Sequence, residues 1–268
     1  MKKRILLLSI FLVALLVAAF TYKNTSVPTT ESQDIVSAEE LASEEKSTEW
    51  VVEKKDPVIM FDMGPRFQGI KKSELVKATS FEDFIGKKHA NRILSYKSLS
   101  VIELDDDKQT DRKITTNSGE LTEAQRDHLQ AAGLSTNILI WAEYTEKWED
   151  TGLVEESYWT PHLTVVPEKQ AAYLEGEAAF LAYLEENIPE FTNFVRREQL
   201  QPGRIYLTVG KAGTITHVDL QASSGIPQMD EKLVKLIYET PGKWTPAEDT
   251  NGEKVEQLLV VFFGTMGC

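Results

Sequence analysis

The residues that could carry catalysis are few and scattered. The four histidines are His89, His128, His162 and His217. None pairs as H-x-x-x-H or HExxH, so no zinc-protease centre is legible. Each reads as a surface or hydrogen-bonded side chain. Cys268 is the sole cysteine and the last residue. One thiol cannot build a disulfide framework, a CxxC couple or a cysteine zinc site. It reads as an inert terminal thiol, with a reactive thiol or an intermolecular disulfide as alternatives. No G-x-S-x-G elbow occurs; Ser118-Gly119 and Ser224-Gly225 read as turns. Walker and dinucleotide glycine motifs are missing. Asp105-Asp106-Asp107-Lys108-Gln109-Thr110-Asp111 has the look of a calcium loop. A calcium loop needs glycine where Thr110 stands and a carboxylate where Thr116 stands, so this stretch reads as a solvated loop. The expectation is a protein that is not an enzyme, with no catalytic, cofactor-binding or metal residues and no small-molecule substrate. An enzyme would need a polar pocket with perturbed carboxylates.

The charge distribution turns attention to binding. The 268 residues carry 29 Lys and Arg against 42 Asp and Glu, a net charge of -13. A sequence pI near 4.9 argues against nucleic acid, because neutralising phosphates needs a basic face. Lys2, Lys3 and Arg4 lie ahead of Ile5–Tyr22, 18 residues without charge. That run is just long enough to cross a hydrocarbon core of roughly 30 Å as a helix. The cations hold its start in the cytoplasm. Residues 1–23 therefore read as an uncleaved signal-anchor or a cleaved signal peptide, Val17-Ala18-Ala19 giving only an approximate cleavage site. No Cys follows the run, which speaks against a lipoprotein. Setting aside Lys2, Lys3, Arg4 and Lys23 leaves 25 basic and 42 acidic residues, a balance of -17 on the exported body. The expected location is the periplasm, anchored in the inner membrane through residues 5–22, or free in the periplasm after cleavage.

The elements that must position any binding surface follow from the patterning. Residues 24–56 are polar and acidic and read as a flexible linker. Residues 57–170 read as a β-rich α+β domain. It has helices over Lys71–Ala78 and from Ser80, and a strand over Ile93–Asp105. The capping box Thr122–Gln125 opens a helix that closes at Gly133, and strands follow at Ser135–Glu146 and Tyr158–Val166. Residues 175–268 form a second domain in the order α-β-β-α-β, with a three-stranded antiparallel sheet. Its hairpin turns at Lys211-Ala212-Gly213-Thr214, and Met229, Leu233, Leu236 and Ile237 share one helical face. The fold class is α+β, two small domains after an N-terminal membrane helix.

Residues 177–264 resemble the TonB C-terminal domain. Phe180-Leu181-Ala182-Tyr183-Leu184 with Asn187-Ile188 matches the entry helix, and Gln201-Pro202-Gly203-Arg204-Ile205-Tyr206 the glycine-led strand. Lys211-Ala212-Gly213-Thr214-Ile215 matches the hairpin, and Ser223-Ser224-Gly225 with Asp230-Glu231 the helix opening. Pro241-Gly242-Lys243-Trp244-Thr245-Pro246-Ala247 and Asn251-Gly252 match the P-x-W-x-P-A…NG signature. The resemblance implies strand addition, in which an extended peptide from an outer-membrane transporter pairs with the last strand. The implied partner-binding residues are Trp244, Pro246, Val255, Gln257, Leu259, Val261 and Phe263, with Val255–Phe263 as an exposed edge. The alternative is that Trp244 is a core residue and Val255–Phe263 a central strand. Residues 57–167 more faintly resemble the small periplasmic domains of the gliding-motility and type IX secretion shaft protein, through SYKSLSV and NSGELTEAQRDHLQAAG.

Three features depart from an energy transducer. Ile5–Tyr22 has no His, the ionisable residue that such helices present to their motor partners. The linker has only Pro28 and Pro57 near it and lacks the stiffness of a proline-rich spacer. The chain ends in Gly-Cys directly after the last strand. The reading is a periplasmic protein-interaction module that binds a transporter or other envelope protein by strand addition. The alternative is a scaffolding envelope protein without energy coupling.

Overall fold

The computed structural model describes residues 59–265, apart from Asn193. The expected membrane segment 5–22, the linker 24–56 and Cys268 lie outside the described residues. Among the described residues no helix is long and apolar enough to cross a membrane. The chain is mixed α+β and rich in sheet.

The ten longer strands are β1 (Met60–Gly64), β2 (Gln68–Lys71), β3 (Ile93–Asp105), β4 (Lys108–Thr116), β5 (Asn137–Lys147), β6 (Val154–Trp159), β7 (His162–Val166), β8 (Pro202–Val209), β9 (Ile215–Ala222) and β10 (Gln257–Gly264). The three longer helices are α1 (Glu123–Ala131), α2 (Glu177–Glu186) and α3 (Pro227–Tyr238).

The first sheet runs β2-β7-β5-β3-β4, with β6 also pairing β5 beside β7. Alternation does the sorting. Ile138, Ile140, Ala142 and Tyr144 of β5 point to one face, where they meet Leu99, Val101, Leu163 and Val165. Leu129 of α1, Phe81 and Phe84 cap that core. The helix expected over Lys71–Ala78 shortens to Lys72–Leu75. Ser80 caps the next turn, sharing a capping box with Asp83. Thr122 and Gln125 form the expected box at the start of α1. The exit from α1 differs from expectation. Gly133 does not take a left-handed conformation; Ser135 does, with φ 65°. Ser135 donates its amide to Val165 at 2.8 Å, so the turn is set by β7 rather than by the helix end. The strand expected over Tyr158–Val166 breaks at Thr160-Pro161 into β6 and β7, since proline cannot donate to a ladder.

The second sheet runs β1-β10-β8-β9, all antiparallel. It has four strands, not three. The extra strand comes from residues 60–64, expected to belong with the first domain. Ile205, Leu207 and Val209 alternate with Leu259, Val261 and Phe263 on the inner face. Phe180 and Leu184 of α2 and Met229, Leu233 and Ile237 of α3 cover it. Asp230 is buried and accepts from Ser224 N at 3.1 Å and Ser224 Oγ at 2.6 Å, so Ser223-Ser224-Gly225 is the structural opening of α3. Gly203 lets the Phe263 ring lie on the backbone; a Cβ there would sit 2.5 Å from the ring. Both sheets belong to one compact unit, Lys54–Cys268.

Gly213 turns the β8–β9 hairpin with φ +73°, and a Cβ on it would meet the Trp244 carbonyl oxygen at 2.2 Å. Gly252 has a similar φ of +78° with open space around it. Gly252→Ala should therefore cost about 1–2 kcal/mol, the left-handed strain alone. Gly213→Ala should cost clearly more, because backbone must also move. Urea unfolding midpoints of the two variants check the difference.

Candidate functional site

The strand-addition edge expected at Val255–Phe263 is covered over Val260–Phe263 by the chain itself. β10 pairs β8 along its whole length, Gln257↔Val209 to Gly264↔Pro202. On its other side it pairs β1, from Val260↔Gly64 to Gly264↔Met60. An interior strand has both rows of backbone groups satisfied, so it offers a partner nothing over that stretch.

The seven candidate residues fall into other roles. Leu259, Val261 and Phe263 are core side chains. Trp244 is buried against Phe180 and Tyr173, with ring centroids at 5.1 and 5.5 Å. Gln257 is 2% exposed; its Oε1 accepts from Ala171 N at 2.7 Å and its Nε2 donates to Gln170 at 3.1 Å. It thereby ties β10 to the segment connecting the two sheets. Val255 pairs Ala247 in a two-residue ladder, and half-buried Pro246 packs by the Gly213 turn. The central-strand and core-residue alternatives are what the fold contains.

A polar cluster takes the prominent place instead. Asp106 and Asp107 sit at the β3–β4 turn, where Asp106 has φ 53°. Arg66, in the link between β1 and β2, pairs with Asp107 and lies 3.6 Å from Asp106. Arg204 of β8 reaches Asp107 at 2.8 Å and Asp106 at 3.2 Å. The Tyr206 hydroxyl donates to Asp106 at 2.6 Å. The stretch expected as a solvated loop is thus a latch between the first sheet's turn and the second sheet's outer face. Burial pushes the Asp107 carboxyl up, but the hydrogen bond from Arg204 and the charges of Arg66 and Arg204 outweigh it and hold it below the usual range. Burial, then the bond to Asp106, pushes the Tyr206 phenol up. The Arg66 guanidinium also lies 4.5 Å from the Phe67 ring centre and 5.9 Å from that of Phe262.

A cavity of about 650 Å³ opens beside the latch, lined by Asp62, Arg66, Arg204, Phe262 and Phe263 among others. Its two cations already face Asp106 and Asp107, so neither is left over for an anionic ligand. Among the described residues no group of three or more His, Cys, Asp or Glu could hold a metal ion. The latch was invisible in the sequence because its paired residues lie 40 to 100 positions apart. The doublet Asp106-Asp107 between two strands was the only local signal.

The open backbone lies elsewhere. Among the described residues β1, β2, β4, β6 and β9 each have one side without a partner strand, β1 and β2 being only five and four residues long. β4 carries Lys108, Asp111, Arg112 and Lys113, and its pairing with β3 has a register shift. β9 carries His217 and Asp219, and its pairing with β8 has two shifts. Charges and irregularities of this kind blunt an edge. β6 pairs β5 without a shift, Val154↔Lys147 to Trp159↔Ala142. It and its turn also expose Leu153, Val154, Tyr158 and Trp159, each more than half accessible.

The latch sets a pH dependence. A carboxyl whose folded pKa is depressed stabilises the fold above its unfolded value of about 3.9 and loses that contribution as the pH falls through the folded value. Wild type should therefore melt above Asp107→Asn near neutral pH, with the gap closing as the pH falls from about 3.9 through the depressed folded value. Melting curves of both proteins across that range check it. The chain matches no protein-family model, no curated protein and no solved structure.

Proposed function

We propose that this chain is a non-enzymatic protein-interaction component of the cell envelope, a scaffold without energy coupling. It is held to the inner membrane through residues 5–22, with its globular part in the periplasm. The pairing of β1 on β10 carries this reading. The second half of the stretch that resembles a TonB-type receptor edge, from Val260 on, is already filled by the chain's own residues 60–64. The latch of Arg66 and Arg204 on Asp106 and Asp107 ties the filled sheet to the first one. Such a body presents fixed surfaces to partners. The lack of a His in Ile5–Tyr22 and of a proline-rich spacer agrees with it.

A second reading keeps the transducer resemblance over residues 177–264. In it an extended segment of an outer-membrane transporter takes the place of β1. Its support is that β1 is only five residues long, with all its side chains half-buried or exposed. An incoming strand would restore the same ladder to β10, so the exchange loses few hydrogen bonds.

A staple separates the readings. Asp62 and Phe262 oppose each other in the β1–β10 ladder. Asp62→Cys with Phe262→Cys, in a Cys268→Ser background, should form a disulfide that pins β1. A scaffold retains the same envelope partners stapled and reduced, and its deletion leaves transporter-dependent uptake intact. Loss of partner capture on stapling, restored by reductant, would establish strand exchange instead.

A further inference from the structure

We propose that β6 is a homodimer interface, at which two copies of this chain join their first sheets edge to edge, antiparallel, about a two-fold axis through Ser157. This surface is separate from β1 and β10 and does not depend on the reading above.

The backbone determines which groups are on offer. Trp148 donates to the Leu153 carbonyl at 2.9 Å, and Ile140 to the Pro161 carbonyl at 3.0 Å. These bonds bracket the β5–β6 ladder and set its alternation. Residues 155, 157 and 159 bond inward to β5, while Val154, Glu156 and Tyr158 turn their amides and carbonyls outward. The strand is regular, and none of its six residues is buried. Among the described residues nine large apolar side chains are exposed, and four of them, Leu153, Val154, Tyr158 and Trp159, belong to this strand and its turn. A regular edge with that side-chain content is the kind that pairs.

Symmetry then picks the partner and the register. Two antiparallel strands related by a two-fold axis keep each residue on its own face of the sheet. Directly opposed residues share a face, so the axis must pass through a residue pair and not between pairs. Centring on Glu155 or Glu156 sets that carboxylate against its own copy, which like charges oppose. Centring on Tyr158 shortens the overlap at Pro161. Centring on Ser157 sets Ser157 against Ser157, Glu156 against Tyr158 and Glu155 against Trp159, the last two pairs occurring twice. The phenol can donate to the carboxylate, the two serines can bond, and no like charges stand opposite. Glu156 also enters with its charge countered by Lys97 of β3, which reaches it across β5. The outward hydrogen-bonding pair, Glu156 with Tyr158, occupies the positions where the ladder bonds must form. An edge whose pairings are satisfied by its own copy, in the residue-centred register that charge and overlap favour, fits a second copy of this chain.

Cross-linking of the full-length chain in mild detergent tests this. At a non-hydrogen-bonded pair the two Cα atoms lie about 4.5 Å apart, inside the disulfide range. In a Cys268→Ser background, Ser157→Cys should give a disulfide-linked dimer on mild oxidation, while Glu155→Cys, which faces Trp159 of the copy, should not. Without cross-links, sedimentation should show a dimer that Tyr158→Glu weakens about tenfold, because it sets a carboxylate against Glu156 twice. Adding Glu156→Lys to Tyr158→Glu should restore the dimer. A chain that sediments as a monomer throughout, Ser157→Cys cross-linking no better than Glu155→Cys, or a dimer indifferent to Tyr158→Glu would each overturn the proposal. A monomer whose β6 amides gain exchange protection only with a foreign envelope protein would overturn it in favour of that partner.

Discussion

Residues 60–71 stitch two sheets together, and most of the architecture depends on that stitch. β1 completes the second sheet by pairing β10, and only three residues later β2 joins the first sheet beside β7. Arg66 lies in that short link and pairs with the β3–β4 turn. Arg204 and Tyr206 approach the same turn from β8. A chain that must satisfy two ladders across so short a link has little freedom to separate its sheets. The carboxylates of Asp106 and Asp107 are accessible enough that solvent weakens each individual pair. Their contribution lies in converging, with both guanidiniums and a phenol fixed on one turn.

The same stitch changes what the molecule can present. An uncovered β10 would show a long apolar edge, which native proteins manage by covering, bending or charging it. Here it is covered by the chain itself. β4 and β9 are charged and irregular. β6 stands apart from them in being straight, accessible and aromatic. The proposed interaction surface therefore lies not on the C-terminal sheet, to which the resemblance points, but on the β6 edge of the first sheet.

Much of the fold was legible locally. Apolar, β-branched and aromatic runs marked β3, β5, β8, β9 and β10, and the N-cap at Ser80 and the box at Thr122 marked two helix starts. Gly213 announced its turn, and the spacing of Met229, Leu233 and Ile237 announced the buried face of α3. Local rules failed where a distant strand set the outcome. Gly133 looked like a helix terminator, yet the turn passed to Ser135 because β7 claims its amide. Tyr158–Val166 looked continuous until Pro161 divided it between an open edge and a covered one.

The sequence by itself determined many of the strands and helices and which of their side chains point inward. Those properties depend on neighbours a few positions apart. Whether a strand is central or an edge was decided only by tertiary structure. Val255–Phe263 carries the same alternation in either case, and the difference lies in Met60–Gly64, about two hundred positions away. The latch is a similar case, since its charges meet only after both sheets have formed. Backbone hydrogen bonds are the same for every residue type, so an edge leaves no mark on the residues that form it. It is defined by which other strand arrives, and that is a property of the whole fold.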